Sequence, residues 1–397
     1  MCSGLISLGV AQGASAVGDP PLDLGIPDAL STHFYGLNIS RVATTVGSPY
    51  VTAFDASTVL TMDWDGELTS TNANTKESQQ LGTLALPAQS RLLDFEYFTE
   101  KKATAQQIPV FVSYAYVDPT TECRYLVLRE ASIDRTGSGS NTWGKIWFTS
   151  PCFPMVDAER DTYFLNQSGG RMALVPKSER VNPRAVEFML GVGDFKSMVT
   201  PTRMTTAAKK ILGTIVHIKK PNQYEVYSRG LRNTQGLIYG TLDGKPAVLA
   251  TSQGPRGGDE LVHATKGANF GWPYRNYGTG YRPGDTVSRP FKEGTKSGYD
   301  RPLIAWVPSI GLSAAVQLKG PAFAQWWEPK EKNATHDLIV SGLADRSLYR
   351  VRIDQGAARY YEKIPIDARV RSLATLPDGR ILVGLDSGGV FLVISPI

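Results

Sequence analysis

The sequence predicts an all-β protein made of repeated strand pairs, in the manner of propeller blades. Three observations carry this. Long helical periodicity is nearly absent. Short alternating strands recur instead, each followed by a Gly/Asp/Pro turn and then another strand. With 39 Gly, 25 Pro and only 20% charged residues, the composition suits a turn-rich chain. A strand pair around an Asp-Gly turn, repeated at wide intervals, is the trace that propeller blades leave. The pattern alone also permits a sandwich or two barrels.

In chain order, residues 5–10 are mildly apolar and run towards Ala14-Ser15-Ala16, a small-residue cleavage pattern with no basic segment ahead of it. Residues 1–16 are therefore read as the remnant of an export signal or a flexible terminus, and residues 17–397 as one domain, exported to the periplasm or the outside. No window reaches the apolar length of a membrane span. Thr58–Met62 alternates ahead of the turn at Asp65-Gly66. Cys123 opens an alternating run, a second run (145–148) lies ahead of Cys152, and residues 136–141 read as the hairpin tip between them. Folding about that tip puts the two cysteines nearly opposite, which is compatible with a disulfide; two buried free thiols are the alternative. A disulfide favours an oxidising compartment.

Residues 205–212 offer a turn or two of helix. Strands follow at 214–218 and at 236–240, the latter before the Asp243-Gly244 turn. Residues 274–299, rich in Gly, Tyr, Arg and Pro, read as a long surface loop. Strands at 370–376, 380–385 and 389–394 close the chain, the first two separated by Pro377-Asp378-Gly379. The net charge of +5 is modest. The lysine pairs at 101–102, 209–210 and 219–220 come with no nucleic-acid motif and read as solvated faces.

Three consecutive segments concentrate the chemistry: Gly230-Leu231-Arg232-Asn233-Thr234-Gln235-Gly236-Leu237, Gln253-Gly254-Pro255-Arg256-Gly257-Gly258-Asp259-Glu260-Leu261, and Gly267-Ala268-Asn269-Phe270-Gly271-Trp272-Pro273. Glycines bring backbone carbonyls and amides close to a bound object, Arg-Asn supplies rigid donors, and carboxylates can hold a hard cation. Ser168-Gly169-Gly170-Arg171, Gly191-Val192-Gly193-Asp194, Ala305-Trp306-Val307-Pro308 and Ser347-Leu348-Tyr349-Arg350 follow the same order as known signatures. Together these motifs resemble the soluble glucose/sorbosone dehydrogenases, which are six-bladed β-propellers that bind pyrroloquinoline quinone (PQQ) with calcium. The resemblance decides for six blades, strongest from about residue 151 onwards.

The resemblance implies that Arg232 and Asn233 touch the cofactor, that Arg369 and Arg371 pair with its carboxylates, and that Gln89 contacts a sugar. It also implies that the Gly254 and Pro255 carbonyls take calcium, with Asp259 and Glu260 in reach of a cation. Two departures stand against it. The family's general-base histidine precedes the Gly-Gly-Arg turn, where this chain has Asn166 or, with a different gap, Gln167. An amide accepts no proton near neutral pH. The family's cofactor lysine is replaced by Ala344. Of the four histidines, His217 reads as structural, His263 as a blade-edge residue and the nearest replacement for the base, and His33 and His336 as exposed.

Asn38-Ile39-Ser40, Asn166-Gln167-Ser168 and Asn333-Ala334-Thr335 are glycosylation sequons, meaningful only in a secreted eukaryotic setting. No zinc spacing, P-loop, Rossmann fingerprint or nucleophile elbow is present. Three readings stay open. One is a PQQ- and calcium-dependent sugar dehydrogenase passing electrons to a quinone or cytochrome. The second is a propeller that no longer oxidises and binds a sugar, a cofactor or a protein partner. The third is a subunit of an envelope complex, suggested by Tyr274, Tyr277, Tyr281, Tyr299 and Trp306.

Overall fold

Each alternating run pairs with its neighbour in sequence, and successive hairpins build six blade sheets among the described residues, beside one short parallel pair, Arg275–Asn276 with Arg289–Pro290. The computed structural model describes residues 29–31, 36–44, 47, 50–155, 165–196, 205–280, 289–290, 298–326 and 337–397. Blade I comprises Tyr50–Ala53, Thr58–Met62, Glu67–Asn72 and Ser78–Thr83. Blade II comprises Ser90–Tyr97, Gln107–Asp118, Cys123–Asp134 and Thr142–Thr149, with Phe153–Pro154 added to its third strand. Blade III holds Gly169–Leu174, Phe188–Val192, Thr214–Lys220 and Gln223–Arg229; blade IV holds Thr234–Leu242, Lys245–Ser252, Asp259–Ala264 and Ile304–Trp306. Blade V is made of Leu312–Gln317, Leu338–Gly342, Ser347–Asp354 and Ala357–Pro365.

Blade VI closes the ring from both ends of the chain. Val370–Thr375, Ile381–Leu385 and Val390–Pro396 come from the C-terminal side, and Gly36–Ala43 pairs antiparallel onto the last of them, from Leu37 opposite Pro396 to Ala43 opposite Val390. The innermost strands touch in order around the ring, and the sixth touches the first. A sheet closed into a ring of blades leaves only short edges, which settles the choice between sandwich, barrels and propeller.

The packing explains why these strands form. Alternate residues of each sheet enter a shared inter-blade core. Phe111 of blade II sits 4.5 Å from Phe188 of blade III, with Trp147 edge-on to both. Such ring pairs add to the burial of apolar area that holds neighbouring sheets together. The predicted helix is Thr206–Ile211, capped by Thr205, whose side chain accepts from the Ala208 amide. Cys123 and Cys152 are joined in a disulfide with Cα atoms 5.1 Å apart, so the free-thiol alternative falls. Trp306 is a core residue, packed 5.8 Å from Tyr349, not part of an exposed aromatic platform. Of the other aromatic residues near it, Tyr274 is exposed while Tyr277 and Tyr299 are half-buried. Residues 1–16, Cys2, His33, Tyr281, His336 and the sequon at Asn333 lie outside the described residues.

Candidate functional site

In a blade the strands run alternately up and down, so the start of each inner strand and the turn after the second strand lie at the same mouth of the ring. From blade I come Tyr50 and Trp64, from blade II Arg91, and from the turn ahead of blade III Asn166, Gln167 and Ser168. Blade IV brings Arg232 and Asn233 ahead of its inner strand, and residues 253–257 after its second. Blade V adds Ser309 and Ala344, and blade VI adds Arg369, Arg371 and Asp386. These groups line one cavity of about 740 Å³. Positions more than 200 residues apart in sequence thus meet at one end of the channel.

Arginines dominate the walls. Arg371 donates from Nε to Asp386 at 2.7 Å, and Arg369 donates from Nε to the other oxygen of the same carboxylate at 2.8 Å. The two guanidinia do face one way, as their spacing of two requires. Arg91 lies over the Trp64 ring at 4.2 Å and Arg371 over the same ring at 5.5 Å. Burial, with Arg371 nearby, lowers the Arg91 pKa. Arg232 sits 5.5 Å over Trp272, whose Nε1 donates to buried Asp194 at 2.9 Å.

The two amides at the base position are not equivalent. Asn166 Oδ1 accepts from Arg91 Nη1 at 2.9 Å, whereas Gln167 holds the turn in a left-handed conformation, φ 62°. Next to it, Gly170 leaves no room for a side chain, since a Cβ there would lie 2.4 Å from Leu93 Cβ. Asn233 is spent on the protein: it donates to Gln253 Oε1 at 2.9 Å and accepts from the Gly169 amide at 3.1 Å. It ties the blade III turn to the blade IV loop, so it positions rather than presents a donor.

Gln89 does not join this group. It occupies an exposed turn at φ 52°, ahead of the strand, where side-chain alternation has not yet begun. Arg91, two residues on, takes the inward position. Arg91, Trp64 and Asp386 were absent from the sequence reading. An arginine just inside an inner strand and an acid just after a second strand were the signals available.

The calcium expectation meets a different geometry. The Gly254 carbonyl accepts from Arg232 Nη1 at 2.7 Å, and the Pro255 carbonyl from Ser309 Oγ at 3.2 Å. Asp259 is consumed by backbone: Oδ1 accepts from the Gly254 amide at 3.0 Å, and Oδ2 from the amides of Ile310, Gly311 and Leu312 at 3.1, 2.6 and 3.0 Å. Glu260, on the opposite face of the strand, lines a small hollow together with Gly254, Pro255, Arg232 and Trp272. Burial, with Asp259 adding to it, pushes its pKa up to about 8, so it is mostly neutral at pH 7. As arranged, a guanidinium holds the Gly254 carbonyl and four amides take up the Asp259 carboxylate, so neither group is free for a calcium ion. A planar polycarboxylate does fit the arginines and the indole face at this mouth.

Glu260 gives a pH test. Its folded pKa lies above its unfolded value, so the unfolded chain ionises first as pH rises and stability falls between those two values. Glu260→Gln is therefore expected to raise the melting temperature at about pH 8 more than at about pH 5. Equal shifts at both would show that Glu260 is already ionised in the folded protein.

His217 is buried, with Nε2 2.7 Å from Glu187, and His263 is half-buried on the third strand of blade IV. Neither lines the cavity, so neither replaces the missing base.

Residues 48–393 match the family model described as Glucose / Sorbosone dehydrogenase. Over 167 residues the chain is 34% identical to the uncharacterized protein slr1608 of Synechocystis, covering 41% of this chain and 36% of that protein. Over 176 residues it is 29% identical to the aldose sugar dehydrogenase YliI of Escherichia coli, covering 43% and 44%. The matched segments thus span less than half the length of these curated relatives. In fold, the chain is similar to a glucose dehydrogenase crystal structure (TM-score 0.69, 21% identity, 90% of this chain and 99% of that one). It is also similar to the PQQ-bound aldose sugar dehydrogenase from Streptomyces coelicolor (TM-score 0.61, 18% identity, 91% and 98%). At these identities the two structures bear on the fold alone. No helix among the described residues is long and apolar enough to cross a membrane.

Proposed function

The chain belongs to the glucose/sorbosone dehydrogenase family, and from that premise we propose that its arginine-lined mouth binds a planar, multiply anionic ligand of the PQQ class without oxidising a sugar. One observation carries the second half: the base position holds Asn166, an amide already bonded to Arg91. The carboxylates that line the cavity do not substitute, since Asp259 accepts four amides and Asp386 is clamped by two arginines. Among the described residues, proton removal from a sugar hydroxyl therefore has no agent, and general-base help is worth roughly 10²–10⁴-fold.

Arg369, Arg371 and Arg232 are the groups that would hold the ligand's carboxylates and quinone oxygens, Arg232 acting from its place on the Gly254 carbonyl. Trp64, stacked against two guanidinia, offers a flat apolar wall. A bound quinone would supply a two-electron acceptor. The residues of this chain orient and neutralise it. With Arg232 in the cation's place, binding does not require calcium. Ala344 leaves space where the family has a lysine. The disulfide supports an exported protein.

The test is titration of the purified chain with PQQ, with calcium and with chelator, followed by an aldose assay with an artificial electron acceptor. The expected result is quenching of tryptophan fluorescence that chelator does not abolish. Turnover is expected to lie at least about 100-fold below that of a histidine-bearing relative. Turnover within about tenfold of such a relative would return the protein to the working dehydrogenases. No PQQ binding at all would favour the module that binds a sugar or a protein.

A further inference from the structure

Beyond the arginine mouth, the inner strands enclose a second cavity of about 580 Å³ that shares no lining residue with the first. A plug separates them. Arg171 pairs with Asp94 at 3.0 Å, lies 5.0 Å over the Tyr50 ring, and donates to the Arg371 carbonyl at 2.7 Å. Asp94 and Arg171 form one end of the second cavity, while Tyr50 lines the first.

Glu96 points into this second cavity from the same face of the strand as Asp94. The two carboxylates have different company. Both oxygens of Asp94 are engaged, by Arg171 and by the Met172 amide at 2.9 Å. Glu96 accepts one hydrogen bond, from Thr52 Oγ1 at 3.1 Å, and no cation lies within ion-pairing distance of it among the described residues. The wall beside it is apolar and aromatic: Phe54 and Tyr97 meet edge-on at 4.8 Å, and Ile238 and Leu373 line the same space. A carboxyl without a counter-ion in an aromatic-walled hollow is a recognition site for a cation with an apolar body.

We propose that the cavity at the far mouth binds a small organic ammonium ion, its charged head at Glu96 and its apolar body against Phe54, Tyr97 and Ile238. An anion would face Glu96 unpaired, and a purely apolar ligand would leave that carboxyl buried without its water. The charged and titratable groups around Glu96 and its wall are Asp94 and Tyr97 on its own strand, Arg171 on blade III, Tyr239 on blade IV, Lys319 after the blade V inner strand, and Arg135, whose guanidinium lies 5.1 Å over the Phe54 ring. Lys319 stands at the rim, exposed overall while partial burial of its ammonium lowers its pKa, and it makes no ion pair with Glu96 among the described residues. Burial, with Asp94 beside it, holds the Glu96 carboxyl up to about 8, so cation binding displaces a proton and tightens as pH rises towards that value.

The experiment is calorimetric titration of the full chain with benzyltrimethylammonium, whose charge does not change with pH, against benzyl alcohol as the neutral control. Wild type is expected to bind the cation at least about tenfold more tightly than the alcohol, more tightly at about pH 9 than at about pH 6, and with a buffer-dependent heat of proton release. Glu96→Gln, nearly isosteric, should remove the preference and the pH dependence. Thr99→Trp, at an exposed position of the lining, narrows the mouth and keeps the carboxyl, and should weaken cation binding with the fold intact by melting. Neither variant should alter PQQ binding at the opposite mouth, which separates this proposal from the reading of that site. The proposal is overturned by undetectable cation binding at millimolar concentration, by equal binding of the two probes, or by cation binding unchanged in Glu96→Gln.

Discussion

Replacing Arg171 with leucine is expected to destabilise the protein by roughly 3–5 kcal/mol, the usual consequence of removing one partner of a buried ion pair. Its guanidinium bridges four blades: it pairs with Asp94 of blade II from its own place on blade III, donates to the Arg371 carbonyl of blade VI at 2.7 Å and reaches the Ser313 carbonyl of blade V at 3.5 Å. Leucine fills part of the volume but leaves Asp94 charged and buried, and leaves the blade VI carbonyl without its donor. The double variant Arg171→Leu/Asp94→Leu should recover much of the loss, because the uncompensated charge goes with its partner. Chemical denaturation measures both. A single-variant loss below about 1 kcal/mol would mean that water enters the channel and solvates Asp94.

Asp259→Ala is expected to have the largest effect on the candidate site itself. One carboxylate accepts four backbone amides, three of them from consecutive residues 310–312, and so pins the blade V entry against the blade IV loop. Alanine orphans all four. At about 1–3 kcal/mol for each amide that water cannot reach, and with Ile310 and Leu312 buried, the expected loss is roughly 2–6 kcal/mol. PQQ binding should fail too, since the loop also sets the Gly254 carbonyl that orients Arg232. The loop has no slack, as a Cβ at Gly254 would lie 2.2 Å from the Gly258 carbonyl oxygen. Asp259→Asn keeps one acceptor and should fall between the two. If Asp259→Ala melts like wild type and still binds, the carboxylate is not what holds this wall.

Much of the fold was legible. Thr58–Met62, the hairpin around 136–141 and the helix at 206–211 were placed within a residue or two, because alternation, turn residues and an N-cap threonine are local signals. The disulfide was half legible, since the hairpin returns residue 152 to the side of Cys123, although the residue directly opposite Cys123 in the ladder is Pro154. Gln89 and Arg91 show where local reading stops. Both have the parity of an inward-facing residue, yet a turn with φ 52° at Gln89 takes it out of the strand frame and gives the wall to Arg91. Asp259 shows the same limit in chemistry: an acid in a glycine loop reads as a cation ligand until the amides of another blade are seen to surround it.

By itself, the sequence determined the all-β class, the strand pairs and the amide at Asn166, and left the cysteines open between a disulfide and free thiols, because each rests on residue type and short-range periodicity. Only the tertiary structure decided what those groups do. Closing six blades into a ring brings residues from distant parts of the chain into one dielectric environment. There, Arg232 takes the carbonyl expected for calcium, Asp386 clamps two arginines, and Glu96 is left in the channel with no ion-pair partner among the described residues. Hydrogen-bond and charge partners across a ring are set by blade order and strand polarity, which no local window contains.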